Sequence, residues 1–378
     1  MKTWFAAISR RARSAAAPLI RLGIQSAFLA AISCSLAYAA PFYEDKSNLL
    51  VVLNEDGDSV PINTVAEWTQ RRAHILENMQ AVMGSLPNPR PQPAFDMQVE
   101  SQEAFATYVR QKITFVTEAG DRLPCYLSIP NKIEDTAPAM LCLHPTFKFG
   151  KDMVVGLGDK PNRNYGEELA QRGYVTLAPD YPGFGDYLID VYGMGYESAT
   201  AKGIVNHMRC IDLLMSLPQV DADRIGAIGH SLGGHNTLYL GVFDPRVKVM
   251  VTSCGFNSFA KYYGGDLTGW SHKGYMPRIA SIFGKDPKRM PFDFTEVLGA
   301  LAPRPVFISA PLHDANFEVT GVYDCVNAAQ PVYALYETAA KLHAVHPDCE
   351  HDFPPETRRE AYAFIDEALG HTPTQDVP

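Results

Sequence analysis

An α/β fold, with a mostly parallel sheet covered by helices on both faces, is what this sequence predicts, and three observations predict it. From about residue 110, short β-like runs alternate with helical patterns. The first two runs are joined by Ala119-Gly120-Asp121, a hairpin signal, so the sheet opens antiparallel. Further on, the strand-like Ile225-Gly226-Ala227-Ile228-Gly229 passes through Ser231 directly into a helical pattern. Such a junction belongs at the carboxyl edge of a parallel sheet.

In chain order the predicted strands are 111–118, 122–130, 139–144, 174–179, 224–229, 247–254, 305–310 and 341–346, an eight-stranded sheet. Helices are predicted at 165–172, 199–217, 232–242, 317–337 and 356–369; in the second, Ile204, Met208, Ile211 and Met215 recur at helical spacing. Residues 40–109 read as a helical leader to this main domain, 110–370. Within the leader, 64–83 carries Trp68, Ile75, Leu76, Met79, Val82 and Met83 on one helical face, and Gly84 ends it. A proline-rich connector, 87–93, follows. Residues 255–301 interrupt the alternation with Phe256, Phe259, Tyr262, Tyr263, Trp270, Tyr275 and Phe283, and are read as a cap-like insertion. The tail, 371–378, is read as frayed.

The first 39 residues are a different material. They carry Lys2, Arg10, Arg11, Arg13 and Arg21 and no acid, then an apolar run from about 22 to 36, then Ala37-Tyr38-Ala39. This is the pattern of a cleavable secretory signal, so the protein is expected in the periplasm or outside the cell, with no stable membrane insertion once the signal is cut. The whole chain carries a formal charge of -9; losing five cations with the signal leaves -14. An acidic balance of this size excludes a nucleic-acid surface, which needs a basic face. With Cys34 removed six cysteines remain, and Cys325 with Cys349 is the one pair that reads as a possible disulfide. No CxxC or zinc-knuckle spacing occurs, and neither a metal nor a cofactor is expected.

Gly229-His230-Ser231-Leu232-Gly233 has the form G-x-S-x-G. Between a strand and a helix this is a nucleophile elbow: the serine is exposed on a sharp turn and flanking glycines avoid clashes. A hydroxyl is inert without a base, and the base needs an orienting acid. In such a sheet the partners follow in the order serine, acid, histidine. The next-to-last strand exits into Pro311-Leu312-His313-Asp314, which nominates Asp314 as the acid. The last exits into His346-Pro347-Asp348-Cys349-Glu350-His351, just before the closing helix, which nominates His351 as the base. His346 is a competing base, Asp348 and Glu350 are competing acids, and His313 is a candidate pocket residue. His343, His346, Asp348 and His351 also resemble metal ligands, but His343 and His346 point to opposite faces of a strand. For the oxyanion, two backbone amides are required: Leu232, after the nucleophile, and Thr146, because Pro145 has no N–H.

The stretches LCLHPT, LAPDYPGFGDY, RIGAIGHSLGGHNTLYL, LAPRPVFISAPLHDANF and EHDFPPETRREAYAFI resemble the α/β-hydrolase superfamily. More narrowly they resemble exported bacterial proteins of the dienelactone-hydrolase-like and acetylxylan-esterase-like kind. The resemblance implies carboxylic-ester hydrolysis through an acyl-serine, without cofactor, on a small-molecule or carbohydrate ester. Dienelactone hydrolases carry a cysteine nucleophile, so Ser231 points to ordinary esters instead. Two rivals stand beside this reading. One is a serine peptidase of the prolyl-oligopeptidase type, which usually carries a large propeller before the hydrolase domain. The other is an inactive hydrolase fold serving as a binding module.

Overall fold

The computed structural model describes residues 40–377; the expected export signal, 1–39, lies outside them. The chain runs β1 (Val51–Leu53), β2 (Ser59–Pro61), α1 (Val65–Met83), β3 (Gln98–Ala104), β4 (Tyr108–Glu118), β5 (Asp121–Pro130) and β6 (Ala137–Leu143). It continues α2 (Tyr165–Gln171), β7 (Val175–Pro179), α3 (Ala199–Ser216), β8 (Val220–His230), α4 (Leu232–Phe243), β9 (Val249–Ser253), α5 (Arg278–Ser281) and α6 (Phe294–Leu301). It closes with β10 (Val306–Ser309), α7 (Val319–Leu335), β11 (Leu342–Val345) and α8 (Pro355–Leu369). All eight predicted strands and all six predicted helices are present, with ends shifted by a few residues.

The main sheet has the order β11-β10-β9-β8-β6-β7-β5-β4-β3. Strands β3, β4, β5 and β7 pair antiparallel; from β7 to β11 every neighbour is parallel. It is therefore nine-stranded, not eight-stranded. The extra strand is β3, whose seven residues are all exposed, so no buried face imposed a period-two pattern on QVESQEA. The chain leaves β6 for β7 on one side and then returns to β8 on the other. That reversal opens a crevice beyond the carboxyl ends of β6 and β8, where open α/β sheets bind ligands.

Both faces of the sheet are buried. On β6, Ala139, Leu141 and Leu143 enter one core with residues of α1, α3, α4, α6 and α7. Met140 and Cys142 enter the other with Tyr165 and Leu169 of α2 and Tyr362, Ile365 and Leu369 of α8. This alternation is what fixes the strand register.

Two readings need correction. The insertion 255–301 is not wholly a cap, because its end forms α6, a buried helix packed on α1, α4 and α7. Its start was signalled by Asp293-Phe294-Thr295-Glu296, a capping box that the aromatic content masked. Much of that aromatic content is core packing; Phe256 stacks on Phe294 at 5.4 Å between centroids, and Phe259 meets it edge-on at 5.5 Å. The possible Cys325–Cys349 disulfide is also not formed. All six described cysteines are free: Cys325 is buried on the inner face of α7, while Cys349 lies in the loop after β11. Among the described residues no helix is long and apolar enough to cross a membrane.

The leader is clamped to the sheet domain. Thr64 caps α1 in a capping box with Glu67, and Trp68, Ile75, Met79, Val82 and Met83 are buried as the periodicity predicts. Arg71 donates to Glu296 of α6 at 2.6 Å, with both side chains fully buried. Removing one partner of a buried pair leaves an uncompensated charge, so Arg71→Met is expected to cost about 3–5 kcal/mol of stability. A urea midpoint unchanged from wild type would contradict the clamp.

Candidate active site

Ser231 stands at the junction of β8 and α4 with φ 54° and ψ −118°. A non-glycine residue there stores roughly 1–3 kcal/mol of strain and persists only where its surroundings over-determine it. They do so here. Ser231 N–H donates to Ser253 O of β9 at 2.8 Å, and His235 N–H, one turn into α4, donates to Ser231 O at 3.1 Å. The flanking glycines are set by space. A Cβ on Gly229 would lie 2.2 Å from the Gly233 carbonyl, and one on Gly233 only 2.0 Å from Leu143 O.

The loop after β6 carries Thr146 to the same place. His144 is buried and fixed in one tautomer: its Nε2 accepts from Tyr181 N–H at 2.9 Å, and its Nδ1–H donates to Pro145 O at 2.7 Å. Burial keeps that imidazole below its ordinary pKa, hence neutral. Beyond it, Asp180 takes the Lys151 N–H at 2.8 Å, the Lys151 ammonium at 2.7 Å and the Asp186 N–H at 2.9 Å. These contacts tie the loop to the exit of β7. The Tyr181–Tyr187 stretch thus stands behind the loop as its support. Among the described residues neither Thr146 N–H nor Leu232 N–H has a protein partner, which leaves two amide donors beside Ser231.

Asp314 and His351 meet. His351 Nδ1–H donates to Asp314 Oδ2 at 2.8 Å, with Oδ1 at 3.0 Å. Asp314 is 5% exposed, and Asn316 N–H and Phe317 N–H donate to its Oδ1 at 2.8 and 3.0 Å. Burial raises the carboxyl pKa, but the His351 hydrogen bond and charge and these two amides outweigh it and hold the group below its ordinary value. It therefore stays an anion. Among the described residues no hydrogen bond joins Ser231 to His351; such contacts often tighten only around substrate.

The competitors are engaged elsewhere. His346 Nδ1–H donates to Ala310 O at 2.9 Å, and His313 pairs with Asp348 at 2.8 Å on the exposed surface, away from the pocket. His343 pairs with Glu360 at 3.0 Å, so the four residues that resembled metal ligands do not converge.

Ser231, Leu232 and Thr146 line one pocket of about 250 Å³ with Trp270, Tyr275 and Asn316 among its walls. A larger depression of about 680 Å³, lined by Glu44, Lys46, Asp293 and Asp324, contains none of the predicted site residues, whereas Ser231, Leu232 and Thr146 all border the smaller one. Two contributors, His235 and Arg163, escaped sequence reasoning, and a third, Tyr275, stood among the insertion's aromatics without its partner being foreseen. His235 lines the pocket as a neutral ring, pushed down to about 3 by burial; its position four residues after Ser231 on a helix was the available signal. Tyr275 OH meets Thr146 Oγ1 at 2.5 Å. Arg163 holds the histidine loop, donating to His351 O at 3.2 Å and Asp352 Oδ1 at 2.5 Å; nothing in the sequence marks a partner 188 residues away.

This fold defines a class: the α/β-hydrolase superfamily of serine hydrolases. Residues 165–372, more than half of the chain, match the prolyl oligopeptidase family, and the chain belongs to that family. A relative named "Putative hydrolase YtaP", from Bacillus subtilis, is 25% identical over 312 residues, which is 79% of this chain and all of that one. Among solved structures, a glucuronoyl esterase from Solibacter usitatus aligns with a TM-score of 0.68 at 19% identity, covering 88% of this chain and 99% of that one. Acetyl xylan esterase 1 from Thermoanaerobacterium sp. JW/SL YS485 aligns at 0.53 and 16% identity, covering 78% and 98%. At these identities the two structures speak to the fold.

Asp314→Asn preserves shape but removes the anion that holds the His351 tautomer. It is expected to lower kcat by ~10³–10⁴-fold with little change in KM. Steady-state kinetics in which kcat falls less than about tenfold would remove Asp314 from the mechanism.

Proposed function

We propose that this protein is an exported serine esterase that cleaves carboxylic esters of small molecules or acetylated carbohydrates through Ser231, His351 and Asp314. Two observations at neighbouring sheet exits support the reading. A strained serine and two unpartnered amides border one pocket, and a buried acid paired with a partly exposed imidazole follows on the next strands but one and two from the elbow.

His351, its Nδ1–H held by Asp314, accepts the Ser231 proton at Nε2 as the oxygen attacks the ester carbonyl. The Thr146 and Leu232 amides receive the developing oxyanion, with the positive end of α4 behind Leu232. His351 then protonates the leaving alcohol. Water, activated by the same imidazole, releases the acid and regenerates the serine.

The pocket's lining favours this reading over peptidase action at a free amino terminus. It contains no carboxylate, so the free amino group of a peptide terminus finds no counter-ion there. Its histidines are neutral, because burial lowers both His235 and His272 below the ordinary value. Trp270, Tyr262 and Tyr275 offer aromatic faces and hydroxyls instead, which suits a neutral ring such as a sugar. Export rests on the basic and apolar pattern of residues 1–39.

Ser231→Ala is expected to reduce hydrolysis of short-chain p-nitrophenyl esters by ~10⁴-fold or more and to abolish labelling by a fluorophosphonate probe. Retained turnover in the variant would defeat the assignment. Failure of the wild type to react with the probe would favour the binding-module reading.

A further inference from the structure

Behind the acid–imidazole pair lies a third side chain that neither the sequence nor the ester chemistry accounts for. Cys254 follows β9, Asp314 follows β10 and His351 follows β11. These strands are parallel neighbours in register, with Ser253 beside Ser309 and Ser309 beside Val345, so their exits lie side by side. One ligand atom from each residue, the Cys254 sulfur, an Asp314 oxygen and a His351 ring nitrogen, falls within 4.8 Å of the other two. Among the described residues no other three histidine, cysteine, aspartate or glutamate side chains converge in this way.

The surroundings fit a bare, soft cation better than a hydrated one. Cys254 is 3% exposed; its Sγ is held 3.4 Å from Asp352 O and its N–H donates to Ser309 O at 2.9 Å. A narrow cavity lined by Cys254, Ser309, Asp314 and Phe317 adjoins the cluster, and Ser309 Oγ is buried there without a hydrogen-bond partner. Sulfur, nitrogen and oxygen donors together suit tetrahedral zinc, whose bonds run about 2.0–2.3 Å. His351, with its side chain 31% exposed, gives the cation a way in.

We propose that Cys254, Asp314 and His351 form an inhibitory site for a thiophilic divalent cation of the zinc class. The Cys254 thiol loses its proton to solvent as the sulfur–metal bond forms. The Nδ1 proton of His351 moves to Nε2, and the freed Nδ1 lone pair binds the metal in place of its hydrogen bond to Asp314. One proton is released per cation, and the thiolate and the Asp314 carboxylate neutralise its two charges, as burial requires. The imidazole then carries hydrogen at Nε2 and cannot accept the Ser231 proton. Inhibition rests on the esterase reading above, whereas cation binding does not.

The test is a cadmium titration of the processed full-length protein, followed by its thiolate-to-cadmium charge-transfer absorption. One equivalent per chain is expected to produce the band, which Cys254→Ser abolishes and His351→Ala weakens. Zinc is expected to inhibit p-nitrophenyl acetate hydrolysis reversibly, with EDTA restoring the rate. In Cys254→Ser the half-inhibitory concentration should rise ~10–100-fold, the scale on which support of a metal ligand matters. A band that survives Cys254→Ser, or no band in the native protein, overturns the site. A band without esterase activity in the metal-free enzyme leaves the site standing and overturns the esterase reading instead. If Cys254→Ser fails to fold, cadmium must still raise the wild-type Tm more than that of His351→Ala; equal shifts overturn the site.

Discussion

Everything at the candidate site depends on how closely α4 is allowed to approach β6. The carbonyl of Leu143 lies where a side chain on Gly233 would begin, and Gly229 and Gly233 touch backbone to backbone. No residue larger than glycine permits that contact. It holds Ser231 at a positive φ and sets the first amide of α4 on the same pocket as the loop that leaves β6. The strain is small against the burial of the sheet on both faces, which is why one residue can hold it.

Buried charge and hydrogen bonding position the other parts. Asp180 and Lys151 pin the Thr146 loop against the exit of β7, while Arg163 and Asn162 pin the His351 loop through Asp352. Such pairs add little net stability, since desolvation offsets much of their attraction. Their value lies in geometry: each loop has one arrangement in which its buried charge is satisfied. Asp314 shows the same logic, because two backbone amides and His351 fix the direction in which its carboxylate points.

Much of this was legible in the chain. Parallel strands between helices read clearly because Ala139–Leu143 or Val306–Ile308 are buried on both faces and therefore uninterrupted by polar residues. Ser231, Asp314 and His351 could be nominated as candidates because acyl transfer needs their types and the sheet's topology fixes their order. What escaped had no local cause. β3 has no buried face, Arg163 acts on a partner far along the chain, and the aromatics of 255–301 look alike whether they fill a core or line a pocket. Cys254 ends a predicted strand with nothing in its neighbours to mark it; only the register of β9, β10 and β11 brings it to Asp314 and His351.

The central claim is that the crowded elbow serves to make Ser231 a nucleophile. Its most direct test is mass spectrometry of enzyme quenched in acid during turnover of an aryl acetate, with the modified peptide mapped. The account predicts one acetyl group per chain, on the hydroxyl of Ser231. An acetyl group on another residue, or turnover with Ser231 unmodified throughout, would contradict it.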